Sequence, residues 1–208
     1  MTAPPRVRYD DGVLLVVDKP HGVATQGSQQ DLYSTLKASY PYVGLHHRLD
    51  QAASGLLLLT TQRKANKKIA QAFQTHAIDR RYLAVLSGRL VEPCTWSWPL
   101  DGRDATTHVH PLGYHRGLSA VEVTLETGRT HQIRKHASMA GYPLIGDRRY
   151  GGEAGRAWQR LALHAHKLAF RHPISGEQLE LTSPVPVDLI DLWNGCIHPG
   201  ESRVTPKP

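Results

Sequence analysis

The chain has 208 residues, of which 40% are hydrophobic and 21% are charged. This length is typical of one domain, and the composition is that of a globular protein. Apolar runs such as Val13–Val17 are too short to cross a bilayer, and the first residues have no signal-peptide pattern. Two cysteines are too few for a disulfide framework. We therefore expect a cytoplasmic protein with no membrane segment.

The charge balance indicates an anionic partner. Lysine and arginine together number 25 against 18 acidic residues, which gives a net charge of +7, and there are 13 histidines besides. Such an excess suits a polyanion such as a nucleic acid. Many proteins without such a partner are mildly basic, so charge alone leaves the partner open.

The first half of the chain predicts two buried strands and two helices. The strands are Val13–Val17 and residues 55–61, and Asp31 can cap a helix that runs to about Tyr40. Residues 62–76 follow with apolar side chains at helical spacing. The other face of this helix carries Lys67 and Lys68 among its cations, which suits either solvent or a phosphate backbone.

The second half predicts further strands and a basic helix. Alternating patterns predict strands at residues 80–88 and 118–128, and further strands are expected at 161–170 and 177–181. Thr130 can cap a helix from His131 to about Ala140, and Pro186 can open a closing helix. Several strands with few helices indicate an α+β fold.

The domain organisation follows from the ends of the chain. Residues 1–12 and 196–208 are rich in proline, glycine and charge, so we expect both ends to be flexible. The residues between them, 13–195, are expected to form a single domain.

Asp50 stands out because of its position between a polar run and a buried strand, in the segment HHRLDQAASGLLLL. A carboxylate at such a junction can simply form a turn with its own backbone. It can also serve as a nucleophile or base at the wall of a cleft. The neighbouring residues His47 and Arg48 are compatible with both interpretations.

A second polar cluster lies in residues 128–151, where five cations accompany one acid, Asp147. His131, Arg134 and Lys135 share one face of the predicted helix. Together with Arg129 they can bind phosphate near the helix N-terminus, or can bring an arginine to a buried carboxylate. An exposed basic helix is the simpler interpretation.

Metal and nucleotide sites find little support. Histidine pairs occur at residues 46–47, 108/110 and 164/166, but no HExxH or CxxC motif accompanies them. The chain also lacks the glycine-rich motifs of triphosphate and dinucleotide sites and the elbow motif of serine hydrolases. We expect no metal, no nucleotide and no other cofactor.

The order of the motifs resembles the RluA-type pseudouridine synthases. The motifs are VVDKPHGV, HRLDQAASGLLLL, RRYLAVLSG, GRTHQIRKHASMAGYPLIGDRRYG and LALHAHKLAFRHP. The resemblance extends from about Val13 to Thr182. It implies a pseudouridine synthase fold with a long, mixed, mainly antiparallel β-sheet flanked by helices and loops, and an active-site cleft across the sheet. Residues 13–195 would then be one catalytic domain, without a separate S4-type RNA-binding domain.

The same resemblance implies roles for individual residues. Asp50 matches the catalytic aspartate, Tyr82 the tyrosine that packs on the target base, and Arg134 the arginine that pairs with the aspartate. Leu163 matches the apolar floor of the pocket, and Arg48 an arginine that helps to displace the target nucleotide. His47, Arg129, His131, Lys135, Lys67 and Lys68 are expected to contact substrate or RNA.

This chain departs from the family pattern at two positions. Ala53 stands where a threonine is usual, and Arg81 where a lysine often precedes the tyrosine. Ala53 lacks a hydroxyl near the nucleophile, whereas Arg81 keeps the charge with a different geometry. Neither position carries a group assigned to the chemistry.

The resemblance implies an isomerase that converts a specific uridine of rRNA or tRNA to pseudouridine and acts as a monomer. Two alternatives stay open from the sequence. The protein could be a catalytically silent RNA-binding or ribosome-assembly protein of the same fold. It could also be a hydrolase that uses Asp50 and a histidine to cleave an N-glycosidic bond.

Overall fold

The structure is a computed structural model that describes residues 5–198. Within this range the strands are β1 Arg6–Asp10, β2 Leu14–Lys19, β3 Gly44–Leu45, β4 Ser54–Thr60, β5 Asp79–Ser87, β6 Cys94–Trp96, β7 Thr107–His115, β8 Leu118–Leu125, β9 Leu163–Arg171 and β10 Gln178–Thr182. The helices are α1 Leu32–Ser39, α2 Arg63–Gln74, α3 Gln132–Met139 and α4 Val187–Ile197. The predicted α+β class is confirmed.

The chain divides into two compact units, whose boundaries fall within β5 and β8. Of the described residues, unit 1 contains 5–82, 124–127 and 163–184, and unit 2 contains 83–123, 128–162 and 185–198. The single catalytic domain expected from the sequence stays a prediction.

The strands of unit 1 pair mainly antiparallel around β4. β2 pairs with β4 along its whole length, from Leu14 opposite Thr60 to Lys19 opposite Gly55, and β1 pairs with β2. Ser54 and Gly55 pair parallel to the start of β9, while β3 pairs antiparallel with the other end of β4. β10 adds to β9. The sheet is therefore mixed, as predicted.

Helix α2 covers one face of these strands because its apolar residues recur at helical spacing. Ala65 and Ile69 are buried against Leu56 and Leu58 of β4 and Phe170 of β9. Each fully buried aliphatic side chain of this kind contributes about 1.5–3 kcal/mol. The lysines of α2 lie on the exposed face, as the periodicity predicted.

Unit 2 has its own core beneath α4. Leu189, Leu192 and Cys196 of α4 pack against Val85 of β5 and Ala120 of β8. β7 lies between β6 and β8. The alternation predicted for β8 is confirmed, since Val121, Val123 and Leu125 are buried, whereas Glu122 and Thr124 between them are only half-buried.

Several sequence predictions of local structure need correction. Residues 6–10, expected to be part of a flexible N-terminus, form strand β1. Helix α3 is not capped by Thr130, because it begins at Gln132 after His131, which has a left-handed backbone with φ of 55°. Pro186 precedes the first turn of α4 instead of lying within it, and α4 extends past residue 195 to Ile197. Residues 199–208 of the expected tail lie outside the described residues.

Strand β7 was not expected, because Pro111 and Gly113 interrupt the alternating pattern. Gly113 is required by packing, since a Cβ atom there would lie 2.5 Å from the carbonyl oxygen of Cys196 at the end of α4. Of the nearby tryptophans, Trp96 is buried, whereas Trp98 is exposed with its ring edge-on to His136.

Gly55 generates a prediction about the junction of β4 and β9. Its φ is +114°, and an added Cβ would lie 2.2 Å from the carbonyl oxygen of Ala165. Gly55→Ala is therefore expected to lower the free energy of unfolding by roughly 2–5 kcal/mol, measured by denaturant titration. Gly195→Ala in α4 is the control, since its Cβ meets nothing within 4 Å. Equal stability of the two variants would contradict the assigned close approach.

Candidate active site

Asp50 lies in the loop between β3 and β4. Its carbonyl oxygen accepts a hydrogen bond of 3.1 Å from the N–H of Ala53, so its backbone does form the turn that the sequence allows. The side chain of Asp50 is half-buried. The turn therefore involves the backbone of Asp50, which is compatible with a separate role for its carboxylate.

Two buried polar side chains fasten this loop to the segment after β2. The Nζ of Lys19 donates to the carbonyl oxygens of Pro20, Val23 and Gln51, at 2.9, 2.7 and 3.3 Å. Thr25 donates through Oγ1 to the carbonyl of Leu49 and accepts from the N–H of the same residue. The residues on both sides of Asp50 are thus held, which fixes its position before any substrate binds.

Tyr82 and Arg80 share one face of β5, and both are buried with 8% exposure. Burial raises the pKa of the Tyr82 phenol; the charge of Arg80 opposes this rise and the Asp50 carboxylate adds to it. Tyr82 is therefore a neutral, mostly apolar surface with the Asp50 carboxylate and the Arg80 guanidinium near it. Asp50 and Tyr82 thus lie near each other within unit 1, while the roles predicted for them from the sequence stay predictions.

His47 completes the hydrogen bonding of β4. β2 occupies one edge of β4 throughout, while β9 and β3 pair only with its two ends. Between them, the N–H of Leu58 donates to Nε2 of His47 at 2.9 Å. The ring of His47 also packs on Phe73 of α2, with centroids 4.6 Å apart. His47 therefore ties the loop of Asp50 to both the strand and the helix.

The environment of His47 keeps it uncharged. Burial, followed by the positive charge of Arg80 and by His46, lowers the pKa of His47 to about 3. Protonation at Nε2 would also remove the acceptor used by Leu58. The contact of His47 with RNA, expected from the resemblance, stays a prediction.

In unit 2, α3 presents Arg134 to a buried acid. The Nε and Nη2 atoms of Arg134 donate to the two carboxylate oxygens of Asp147, both at 2.8 Å. Burial by itself would raise the pKa of Asp147, but Arg134 and the N–H groups of Tyr150 and Arg149 lower it below its usual value. The guanidinium of Arg134 also lies over the ring of Tyr150. Its plane is therefore fixed from two directions.

The other cations predicted in this cluster make contacts within unit 2. Nδ1 of His131 lies 3.0 Å from the hydroxyl of Tyr150. Lys135 forms an ion pair of 2.8 Å with Asp101, and Nε of Arg129 donates to the carbonyl of Asp104. Their predicted contacts with RNA are not tested by these interactions.

The remaining predicted site residues lie in unit 1. Leu163 is buried at the start of β9, and Arg48 is exposed beside Asp50. Lys67 is exposed on α2, whereas Lys68 donates through Nζ to the carbonyl of Pro173 at 2.7 Å. Lys67 is therefore better placed than Lys68 to contact a phosphate.

Sequence reasoning missed Arg80, Lys19 and Asp147. Arg80 could have been found from the alternation of β5, because it lies two residues from Tyr82 on the same face. Asp147 was visible as the one acid among five cations. Nothing in the sequence indicated that the lysine of VVDKPHGV is buried, since lysine is rarely buried without partners.

No group of three or more histidine, cysteine, aspartate or glutamate side chains that could hold a metal ion occurs in residues 5–198. The histidine pair of β9 has other partners. His164 bonds Ser54 at 2.9 Å and Ser183 at 3.1 Å, and His166 bonds the carbonyl of Ser183. Across these same residues, no helix is both long and apolar enough to cross a membrane.

Comparison with known proteins shows to which family the chain belongs. The family model described as RNA pseudouridylate synthase matches residues 13–139. The ribosomal large subunit pseudouridine synthase D of Xanthomonas campestris is 34% identical, over 89% of this chain and 67% of its own length. Its namesake from Vibrio vulnificus is 33% identical, over 88% of this chain and 68% of its own.

Solved structures agree with these relatives. Human RNA pseudouridylate synthase domain containing 1 superimposes with a TM-score of 0.75 at 27% identity, covering 88% of this chain and 84% of its own. Human RNA pseudouridylate synthase domain containing 4, at 21% identity and a TM-score of 0.73, has the same fold. Fold and relatives together define an isomerase that acts on uridine in RNA. The chain belongs to the RNA pseudouridylate synthase family, in its RluA-type branch, as its motifs predicted.

The low pKa of His47 generates a prediction about acid stability. Because the folded pKa of about 3 lies below the usual 6.5, the unfolded chain takes up the proton first as the pH falls. The contribution of His47 to the free energy of unfolding is therefore constant above pH 6.5. Below that pH it declines towards pH 3, by at most about 1.4 kcal/mol per pH unit. In denaturant titrations, His47→Gln should reduce this slope while leaving an acceptor for Leu58.

The exposed residue His110 of β7 serves as the control for this measurement. His110→Gln should leave the acid slope as it is in the wild-type protein. A slope unaffected by His47→Gln would mean that His47 is not held uncharged.

The pairing of Asp147 with Arg134 generates a second prediction. Asp147→Asn would leave a buried guanidinium without its carboxylate, which typically costs about 3–5 kcal/mol. We expect a loss of this size in the free energy of unfolding at neutral pH. The control is Asp101→Asn. Asp101 is exposed and pairs with Lys135 of α3, so its replacement should change the free energy of unfolding little. Equal effects of the two substitutions would contradict a stabilising role for the buried pair.

Proposed function

We propose that Asp50 is the catalytic carboxylate with which this enzyme converts a uridine of large-subunit rRNA to pseudouridine. The observation that carries the proposal is the arrangement of Asp50 in unit 1. Its carboxylate is near enough to Tyr82 to contribute to the raised pKa of the phenol, on a loop held by Lys19 and Thr25. A fixed carboxylate beside a flat apolar surface suits attack at the junction of base and sugar.

The reaction is an isomerisation, so its atoms balance without a co-reactant. The N1–C1′ bond of uridine breaks, the uracil turns, and a C5–C1′ bond forms. C5 loses its proton and N1 gains one, so the mass of the RNA is unchanged. Asp50 can take part by adding to the base or by acting at C1′ and H2′, and both routes are compatible with its position.

Tyr82 supplies the surface on which the uracil packs. Because the ring is buried, its position is set before the base arrives, and base stacking on an aromatic ring is worth about 1–3 kcal/mol. Leu163 is proposed as the apolar floor of the same pocket. Exclusion of water matters here because, once the N1–C1′ bond has broken, attack of water at C1′ would release the uracil before the C5–C1′ bond forms.

From the resemblance, Arg134 is proposed as the arginine that pairs with Asp50. The bidentate bond to Asp147 supports this role, because it fixes the guanidinium plane in advance. The pairing itself stays a prediction from the resemblance.

Binding must expose the target, because a stacked uridine cannot reach a carboxylate. Flipping it out costs a few kcal/mol, which contacts to the backbone must offset. Arg48 and Lys67 are the exposed cations of unit 1 proposed to help, together with His47 and Lys68. Arg129, His131 and Lys135 are proposed for the same purpose in unit 2.

The choice of large-subunit rRNA over tRNA is supported by the names of the relatives that cover most of this chain. Those names also support action in the cytoplasm, where ribosomes are made. Action as a monomer and without a nucleotide cofactor are further parts of the proposal, carried over from the sequence. Mapping of pseudouridine in cellular RNA with and without the gene would identify the uridine.

The central test is Asp50→Asn. We expect the variant to fold, to bind rRNA as the wild type does and to form no pseudouridine, because the amide cannot act as a nucleophile or base. The measurement is mass spectrometry of rRNA fragments after a label that marks pseudouridine. Arg63→Gln, at an exposed cation of α2 outside the site, is the control and should retain full activity.

The same measurement distinguishes the alternatives. Release of free uracil would indicate a hydrolase, and RNA binding without any change in the wild type would indicate a silent binding protein. Normal pseudouridine formation by Asp50→Asn would remove Asp50 from the chemistry.

A further inference from the structure

We propose that Arg80 binds a phosphodiester group of the RNA, the one next to the uridine that Tyr82 and Asp50 receive. The proposal rests on the function assigned to those two residues and adds a binding site for an anion beside them. Its ligand is a backbone phosphate and not a base, so the contact would be independent of the RNA sequence.

The guanidinium of Arg80 is buried and forms no ion pair with a carboxylate among the described residues. Its exposure is 8%, and its Nε makes no hydrogen bond within residues 5–198. Its hydrogen bond to the protein runs from Nη2 to the carbonyl of Thr127, at a long 3.4 Å. The ring of Phe73 lies 5.8 Å from it. A guanidinium has five N–H donors, so most of its binding capacity is unused.

The other buried arginines of residues 5–198 are paired. Arg134 binds Asp147 through two hydrogen bonds of 2.8 Å, and Arg160 binds both oxygens of Asp188 at 3.0 Å. A buried charge without a partner is strongly destabilising, so such a residue is explained most simply by a partner that arrives. RNA supplies that partner as phosphate, whose geometry suits a guanidinium.

The position of Arg80 along β5 suits this ligand. Arg80 and Tyr82 are two residues apart on one face of the strand, which separates their side chains by about 6.7 Å. This is of the order of the distance from a pyrimidine ring to the phosphate of its own nucleotide. A uracil packed on Tyr82 therefore brings its 5′-phosphate within reach of the long arginine side chain.

The charge of Arg80 is also felt by its neighbours, since it lowers the pKa of His47. This effect does not by itself explain why a buried arginine stands at position 80, because burial lowers the pKa of His47 more than Arg80 does. Loss of Arg80 would therefore leave His47 uncharged at neutral pH, and its acceptor for Leu58 would persist. The test can thus separate lost binding from a disrupted loop.

The first measurement compares the stability and RNA binding of Arg80→Met, which keeps the length of the side chain and removes its charge. Because an unpaired charge is removed, we expect Tm to rise by about 2–4 °C in the absence of RNA. Affinity for rRNA should fall about 10-fold, as for loss of one charged hydrogen bond. Arg81→Met is the matched control, since Arg81 is half-exposed and paired with Asp79.

The second measurement removes the charge of single phosphates in the RNA instead of the charge of Arg80. A short RNA that carries the mapped uridine is made with one uncharged methylphosphonate at each linkage in turn. For the wild type, the linkage on the 5′ side of the target should lower affinity and kcat/KM about 10-fold. For Arg80→Met the same linkage should have no further effect, while other linkages affect both proteins equally.

The outcomes separate this proposal from the proposed function. If the wild type modifies no uridine, the function fails, and the affinities of the wild type and Arg80→Met for rRNA still test whether Arg80 binds RNA. If Arg80→Met does not fold, the series on the wild type decides alone. Equal losses for both proteins at the 5′ linkage, or no loss in the wild type, would overturn the phosphate site. A lower Tm with unchanged RNA binding would assign Arg80 a purely structural role.

Discussion

The buried ammonium group of Lys19 links the two loops that position Asp50. It donates to carbonyl oxygens on either side, two in the segment after β2 and one in the residue that follows Asp50. Carbonyl oxygens carry only partial charge, so the ammonium ion is solvated by the fold itself and the loops lose their freedom in return. The carboxylate of Asp50, which we propose as catalytic, is then held on a loop almost as firmly as it would be on a strand. Thr25 and His47 extend the same restraint to Leu49 and Leu58.

The buried cations differ in whether the protein itself supplies their hydrogen-bond or ion-pair partners. Lys19 is satisfied by carbonyl groups, and Arg134 and Arg160 by carboxylates. Arg80 differs because it forms no ion pair among the described residues and donates only a long hydrogen bond of 3.4 Å to the carbonyl of Thr127. A site that handles a polyanion benefits from such a residue, since its charge is not already neutralised by the protein. The cost falls on stability, which is the usual exchange at functional sites.

The sequence predicted the parts of the fold that depend on periodicity. The α2 and β8 patterns were sufficient because their apolar residues face one side, and Asp31 caps α1 through Ser34 as its residue type indicated. β7 was missed because Gly113 is required by a distant carbonyl of α4, which no local pattern reveals. The start of α3 was misplaced because His131 adopts a left-handed backbone that favours glycine or asparagine. Motif resemblance identified Asp50 and Tyr82, whereas the roles of Lys19 and Arg80 depend on burial, which only the three-dimensional structure provides.

The imidazole of His47 also determines what the edge of β4 can bind. A strand edge with free N–H and C=O groups is a template onto which another polypeptide can add, and proteins usually block such edges with charge or a bulge. Here β9 and β3 pair with the two ends of β4. Between them, the His47 ring accepts a hydrogen bond from the N–H of Leu58 and packs on Phe73. β4, whose residues are all buried, is therefore protected against intermolecular β-sheet growth by the same motif that contains Asp50.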